Sequence, residues 1–386
     1  MLPEDAGEAL LVGRLWCDGP VPGPAIVAVR DDALLDLTPA FPTMTDILRC
    51  ADPASAVRAA MAGAPDLAAL SSVAAAMARM TAPAPVRRLL APVDLQAIKA
   101  CGVTFAQSML ERVIEERAKG DPAAAEVLRG EIVAEIGGDL ARVAPGSPQA
   151  AELKAALQRR GIWSQYLEVG IGPDAEVFTK AQPMSAIGTL SGVGIHPASA
   201  WNNPEPEVVL VIAPDGRIVG AALGNDVNLR DVEGRSALLL GKAKDNNASC
   251  AIGPFIRLFD ARYGLPDLRE AVLQISVEGP EGWRLEAQSR MAEISRDPAD
   301  LAAQATGAHH QYPDGLVLFT GTGFAPVADR DHPGLGFTHK TGDIVSIYEP
   351  RLGRLVNRVD FTDALPPWSF GVRDLMASLA ARGIEL

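Results

Sequence analysis

A β-hairpin is predicted by the stretch Asn203-Pro-Glu-Pro-Glu-Val-Val-Leu-Val-Ile-Ala-Pro-Asp-Gly-Arg-Ile218. The apolar run Val208–Ile212 has the residue types of a buried strand, and Asp215-Gly216 is a typical turn pair between two strands. A two-residue turn at that pair places residue 205 opposite residue 226 on the returning strand. Because side chains alternate along a strand, Glu205 and Glu207 are predicted to lie on one side, with Asp226 facing Glu205.

Three carboxylates at one end of a hairpin repel one another, and directly opposed like charges destabilise a sheet unless a cation lies between them. A site made only of oxygen ligands selects a hard ion, so Mg²⁺ or Mn²⁺ is the predicted cofactor of Glu205, Glu207 and Asp226. The alternative is that the Pro-Glu-Pro-Glu tract is a solvated strand entrance, which one bulge in the hairpin would favour.

A polar segment of small residues, 241–254, follows the hairpin and is predicted to be a loop over the same site. Its two cations are Lys242 and Lys244. In an acidic protein either lysine could pair with a substrate carboxylate or act as an acid or base. The alternative for each is an ordinary solvated surface lysine.

The rest of the chain predicts an α+β fold dominated by β-structure. Short β-branched runs cut by Gly, Pro and Asp continue from Trp163 nearly to the end, and a small β-rich unit is predicted at residues 10–38. Helices are predicted at 44–50, 54–62 and 65–80, and a helical insertion at about 106–160. The Pro-containing linker Thr81-Ala-Pro-Ala-Pro85 divides the chain into a small N-terminal domain, 1–85, and a catalytic domain, 86–386.

Composition excludes several classes of function. The chain has 386 residues, of which 48% are hydrophobic and 22% charged, and its net charge is −13. Such a charge repels nucleic acid and anionic membranes, so neither is an expected partner. The four cysteines lack metal-ligand spacing and the N-terminus is acidic where a signal peptide is basic, so we expect a cytoplasmic protein without a membrane span.

Three motifs in order resemble the fumarylacetoacetate hydrolase superfamily. These are Glu205-Pro-Glu207, then Gly224-Asn-Asp-Val-Asn-Leu-Arg-Asp231, then Lys244 nine residues before Gly253-Pro254. The resemblance covers roughly residues 100–360 and implies the family's mixed β-sandwich roll. It also implies that Glu205, Glu207 and Asp226 bind Mg²⁺ and that Lys244, rather than Lys242, is catalytic.

Within the superfamily, other segments are most similar to the 2-keto-3-deoxy sugar acid dehydratases of pentose catabolism: Val103-Thr-Phe-Ala-Gln-Ser-Met-Leu-Glu-Arg112, Glu176-Val-Phe-Thr-Lys180, Trp201-Asn-Asn-Pro-Glu-Pro-Glu207 and Ser249-Cys-Ala-Ile-Gly-Pro254. In that branch the residue matching Glu176 is a catalytic acid or base. The hydrolases have a water-activating His where this chain has Ser108. The resemblance therefore implies a hydro-lyase that converts a 2-keto-3-deoxypentonate, derived from D-xylonate or D-arabinonate, to 2,5-dioxopentanoate.

Two other functions stay open on the sequence. One is an acylpyruvate-type hydrolase, or a decarboxylase or isomerase, with the same metal site. Hydrolysis would need a water-activating base near residue 108, such as His196 or His339. The other is a sugar-acid binding protein without turnover. Loop position makes Ser108, Asp245, Asn247 and Thr322 candidate substrate contacts, and family members are commonly oligomers, so a homodimer or homotetramer is expected.

Overall fold

The computed structural model describes residues 1–80, 87–140, 143–324, 326, 328–331 and 336–384. Its strands are β1 (Leu11–Cys17), β2 (Gly23–Arg30), β3 (Ala33–Asp36), β4 (Asp66–Ala69), β5 (Arg88–Leu90), β6 (Ala97–Gly102), β7 (Glu176–Ala181), β8 (Ser191–Ile195), β9 (Asn202–Asn203), β10 (Pro206–Ile212), β11 (Ile218–Asp226), β12 (Asn228–Leu229), β13 (Cys250–Leu258), β14 (Val272–Glu278), β15 (Arg284–Arg290), β16 (Leu316–Phe319), β17 (Ile344–Glu349) and β18 (Gly353–Phe361). Its α-helices are α1 (Met44–Leu48), α2 (Pro53–Met61), α3 (Leu70–Met77), α4 (Ala106–Arg117), α5 (Pro122–Leu140), α6 (Pro148–Arg159), α7 (Gln165–Ile171), α8 (Arg230–Glu233), α9 (Leu240–Lys244), α10 (Leu265–Arg269), α11 (Pro298–Ala305) and α12 (Val372–Ala381).

The predicted hairpin is formed by β10 and β11, and its register at the acidic end is the predicted one. Pro206 pairs with Asn225, and the Asp226 N–H donates to the Glu205 carbonyl over 3.0 Å. The turn itself is one residue longer than predicted, because Ala213 pairs with Arg217 around a loop that ends at Gly216, whose φ is +88°. A bulge beside Ile212 compensates for that extra residue.

Two sheets pack around this hairpin. The larger has 11 strands in the order β4-β3-β2-β1-β13-β11-β10-β16-β6-β7, with β5 on β1, and the smaller has the order β15-β14-β17-β18-β8. Every residue of β10 is buried, because its two faces enter different cores. Val208 and Leu210 pack with apolar residues of the smaller sheet, whereas Val209 and Val211 pack with those of α1 and α2.

The helical insertion packs beside the carboxylate end of the hairpin. Helices α4, α5 and α6 lie within the helical insertion predicted at about 106–160, and α7 follows them. A separate apolar core joins them, with Val113, Leu157 and Leu167 fully buried. This core fixes α4, whose polar residues face the hairpin.

The N-terminal residues continue the larger sheet, because β1 pairs with β13 through Leu11 and Arg257. The predicted helix 65–80 is wrong in its first residues, since Asp66–Ala69 forms β4 on β3 and only Leu70–Met77 is helical. The linker predicted at 81–85 lies outside the described residues, and the division into two domains stays a prediction. Among the described helices, none has both the length and the apolar composition needed to cross a membrane.

Candidate active site

Three carboxylates meet at the end of the hairpin, as the register requires. Glu205, Glu207 and Asp226 are 4%, 2% and 1% exposed. Each can present one oxygen so that the three oxygens lie within 4.8 Å of one another. The Gly321 N–H donates to Glu207 Oε2 over 2.6 Å and holds that carboxylate in place.

Within this cluster, the electrostatics of Glu207 favour a bound cation. Burial raises the pKa of Glu207 well above its usual range, and repulsion by Asp226 and Glu205 adds to the rise. The pKa of one carboxylate is therefore perturbed by the other two. Buried oxygen donors at this spacing fit a hard divalent ion such as Mg²⁺.

The ammonium of Lys244 lies against the same cluster. Lys244 is buried at the end of α9, donates to Glu205 Oε2, and lies 3.1 Å from Asp226 Oδ2. Burial alone would lower its pKa, but Asp226 and Glu205 outweigh burial and raise it. Lys242, two residues earlier on α9, is exposed. The structure therefore separates the two candidate lysines.

A second lysine, which the sequence analysis did not select, supports the cluster from behind. Lys180 is fully buried at the end of β7, and its Nζ lies 2.8 Å from Asp226 Oδ1. It also donates to the main-chain carbonyls of Val227 and Lys244. Lys180 thus connects one carboxylate to the segment that carries Lys244.

Arg112 on α4 was also missed as a site residue. Its guanidinium donates to Glu205 Oε1 over 2.6 Å and to Glu115 Oε2 over 2.5 Å, and lies 3.1 Å from Glu233 Oε2. Arg230 reaches Glu115 from the other side over 2.6 Å. Such interactions join the helical insertion to the hairpin, and they come from sequence positions too distant for spacing to reveal.

Glu176 begins β7 and lies across β6 from the cluster. It pairs with Gly102, and its carboxylate leans over that glycine, since a Cβ added there would lie 2.0 Å from Glu176 Oε2. Burial raises the pKa of Glu176 to about 7, and the nearby charge of Glu233 contributes to the rise. Its carboxyl group can therefore hold or release a proton near neutral pH.

Most of these residues line one cavity. Its lining includes the three carboxylates together with Lys244, Arg112, Glu233, Ser108, Thr322, Gly102 and Phe178.

The sequence is similar to one known protein family and to two named dehydratases. The profile of the fumarylacetoacetate hydrolase C-terminal domain matches residues 170–360. A Haloferax volcanii protein named "probable 2-keto-3-deoxyxylonate dehydratase" is 30% identical over 55% of this chain and 68% of its own length. The chain belongs to the fumarylacetoacetate hydrolase family. The 2-dehydro-3-deoxy-D-arabinonate dehydratase of Saccharolobus solfataricus is 31% identical over 48% of this chain and 58% of its own length.

A solved structure has the same fold. It is 2-keto-3-deoxy-D-arabinonate dehydratase complexed with magnesium and 2,5-dioxopentanoate, with a TM-score of 0.62 and 18% identity over 91% of this chain and 99% of that one. The predicted family and its β-dominated α+β fold are thus confirmed.

The predicted substrate contacts divide into two groups. Ser108 and Thr322 line the cavity, although the Ser108 hydroxyl donates to the Phe105 carbonyl and accepts from its N–H, and Thr322 Oγ accepts from the Phe324 N–H. Asp245 and Asn247 are not among the described residues that line it. The Asn247 amide instead donates to the Thr362 and Pro366 carbonyls. Asp245 begins the segment that leads away from α9 and accepts from Gln182.

Histidine is not part of the described cavity lining of this family member. Nδ1 of His196 accepts from the Ala198 N–H in a turn. His339 is buried elsewhere, with Nδ1 3.0 Å from Asp343 Oδ2. His332 lies outside the described residues. The hydroxyl of Ser108 is used at the start of α4, where it bonds to the Phe105 main chain.

Proposed function

We propose that this member of the fumarylacetoacetate hydrolase family is a Mg²⁺-dependent hydro-lyase that converts a 2-keto-3-deoxypentonate to 2,5-dioxopentanoate. The observation that carries the proposal is the convergence of Glu205, Glu207 and Asp226 with Lys244 in one buried cavity that Glu176 approaches from β7. The names of the two relatives support the same reaction class.

The carboxylate row, formed by Glu205, Glu207 and Asp226, is the proposed binding site for the metal and for the keto-acid end of the substrate. Glu205, Glu207 and Asp226 would hold Mg²⁺, whose charge offsets the substrate carboxylate and makes the C3 protons more acidic. Lys180 holds Asp226 from the side away from the cavity, and Arg112 holds Glu205. Both cations keep the carboxylates oriented while the cavity is occupied.

Lys244 and Glu176 are proposed to move the protons. One removes a proton from C3, and the other protonates the departing C4 hydroxyl, so that one water leaves and a C3–C4 double bond forms. Transfer of a proton from C5 to C3 shifts the double bond to C4–C5, and the resulting enol tautomerises to the C5 aldehyde. The pKa of Glu176, raised to about 7, suits a group that exchanges protons in this sequence.

The two other functions considered have less support. Hydrolysis of an acylpyruvate needs a water-activating base, and none of the described lining residues is a histidine. A binding protein without turnover needs no carboxyl group with a pKa raised to about 7 near a buried lysine. Neither alternative is favoured by a particular contact in the cavity.

The proposal is tested by a product assay. Purified protein is incubated with Mg²⁺ and either 2-keto-3-deoxy-D-xylonate or 2-keto-3-deoxy-D-arabinonate, and 2,5-dioxopentanoate is detected through a coupled dehydrogenase. We expect product from at least one epimer and none after treatment with EDTA. Release of pyruvate from an acylpyruvate, with no product from either sugar acid, would contradict the proposal and favour the hydrolase.

We also propose that the protein acts in the cytoplasm as a homodimer or homotetramer. The net charge of −13 and the four free cysteines are consistent with a reducing compartment. Light scattering coupled to size-exclusion chromatography measures the oligomeric state. A mass near 40.5 kDa at micromolar concentration would contradict the oligomer.

A further inference from the structure

A second chamber extends the active-site cavity along the hairpin. It shares Ser108, Arg112, Glu205 and Thr322 with the first cavity. Asn203 lines the second chamber, whereas Glu207 and Asp226 line only the first. The two chambers thus lie along one row of polar residues, with Glu205 between them.

The strand register explains why Asn203 continues this row. Asn203 on β9 pairs with Asn228 on β12, in the same register that pairs Pro206 with Asn225. Asn203, Glu205 and Glu207 are each two residues apart, and same-side residues of a strand lie roughly 7 Å from one another. Asn203 is therefore the next polar side chain beyond Glu205.

The Asn203 side chain has one free acceptor. The residue is 3% exposed, and its Nδ2 donates to the Pro204 carbonyl over 2.8 Å. Its Oδ1 is buried and accepts no hydrogen bond from any described residue. An acceptor left in this state costs free energy unless a ligand or a water donates to it.

The other oxygens around the second chamber have partners. Glu115 accepts from both Arg112 and Arg230, and Glu111 accepts from Arg230 and Arg129. The hydroxyl of Ser108 is used at the start of α4. Among the described side chains of this chamber, Asn203 Oδ1 is thus the buried oxygen that lacks a donor.

We infer that Asn203 determines specificity by accepting a hydrogen bond from the terminal hydroxyl of the sugar acid. The inference rests on the proposed function, which places the keto-acid end of the substrate at the carboxylate row. A five-carbon chain with bonds of about 1.5 Å spans roughly 5 Å, which is comparable to the spacing between Glu205 and Asn203. The ligand class assigned to the second chamber is therefore a hydroxylated carbon tail.

The test compares 2-keto-3-deoxypentonate with 4-hydroxy-2-oxopentanoate, which lacks only the C5 hydroxyl. Loss of either compound in the presence of Mg²⁺ is followed by proton NMR, so that one signal measures both. We expect the native protein to prefer 2-keto-3-deoxypentonate by roughly 10- to 100-fold in kcat/KM, because the compound without the C5 hydroxyl leaves Asn203 Oδ1 unpaired.

Variants at Asn203 and at its neighbour separate recognition from folding. Asn203→Leu and Asn203→Ala are expected to reduce the preference to less than about 5-fold, mainly through the hydroxylated compound. Asn202→Leu is the matched control. Asn202 is also buried with a free Oδ1, but its side chain lies on the opposite face of the strand and its Nδ2 lies 3.3 Å from Ser199 Oγ. We expect this variant to keep the native preference.

Each outcome decides the inference. Equal kcat/KM for the two compounds with the native protein, or an unchanged preference in both Asn203 variants, would overturn it while leaving the dehydratase proposal intact. Conversion of neither compound by the native protein would overturn the proposed function, and the inference with it. Loss of preference in the Asn202 variant as well would show a general disturbance of the strand and would overturn the specific role of Asn203.

Discussion

Replacing Gly102 by alanine tests the position of Glu176 without removing it. The new Cβ would lie 2.0 Å from Glu176 Oε2 and 2.8 Å from Cδ, whereas ordinary contact begins near 3.4 Å. The carboxylate would have to move by roughly 1.4 Å. It is the end of a side chain, so it can rotate away without shifting β6, and we expect a loss of stability below about 1 kcal/mol.

The expected effect on catalysis is much larger than the effect on stability. A displacement of about 1 Å of a group that transfers a proton costs roughly 100-fold in rate. We expect Gly102→Ala to lower kcat by about that factor, measured as formation of 2,5-dioxopentanoate, while thermal unfolding changes by a few degrees at most. Gly241→Ala is the control, because an added Cβ there meets nothing within 4 Å although the residue lies on α9 with Lys244. Native kcat in Gly102→Ala would refute a catalytic position for Glu176.

Three further predictions concern individual ionisable groups. Lys244→Met should lower kcat roughly 1,000-fold in the product assay, while Lys242→Met, on the same helix but exposed, should retain native turnover. Burial raises the pKa of Glu176 to about 7. If its carboxylate is the reactive form, kcat/KM should fall as the pH drops through that value, or through a somewhat lower one when Mg²⁺ is bound. Glu176→Gln should remove this acidic limb of the pH profile. Burial would raise the pKa of Asp343. However, the 2.6 Å hydrogen bond from Arg330 and the contact with His339 lower this pKa to about 2. Its stabilising effect should therefore be present above pH 4 and lost toward pH 2, and Asp343→Asn should cost about 3 kcal/mol in denaturant unfolding at pH 7 but little at pH 2.

The hairpin shows what sequence can and cannot predict about this fold. The pairing of Glu205 with Asp226 follows from alternation and a turn signal, and the structure has that register. The detail of the turn was wrong, because the loop contains one more residue and a bulge beside Ile212 restores the register. The extra loop residue and the bulge cancel each other in the register. Neither has a signal in the sequence that fixes its position.

The supporting cations could not be predicted in this way. Arg112 and Lys180 reach the carboxylates from α4 and β7, 93 and 46 positions away from Glu205 and Asp226. Their charge alone is typical of any surface residue, and only the packing of the helical insertion and of β7 against the hairpin brings them into the site. Asn247 shows the opposite case, since it is near Lys244 in sequence but is not among the described lining residues, and its amide donates to the Thr362 carbonyl.

The central claim is that the buried carboxylate row holds the metal that this reaction needs. It is tested most directly by the initial rate of 2,5-dioxopentanoate formation from 2-keto-3-deoxypentonate as Mg²⁺ is added to metal-free protein. We predict no product before Mg²⁺ is added, a saturable rise in rate, and a half-saturating concentration at least 10-fold higher in Glu207→Gln. Full turnover in the metal-free protein, or the same half-saturating concentration in Glu207→Gln, would contradict the account.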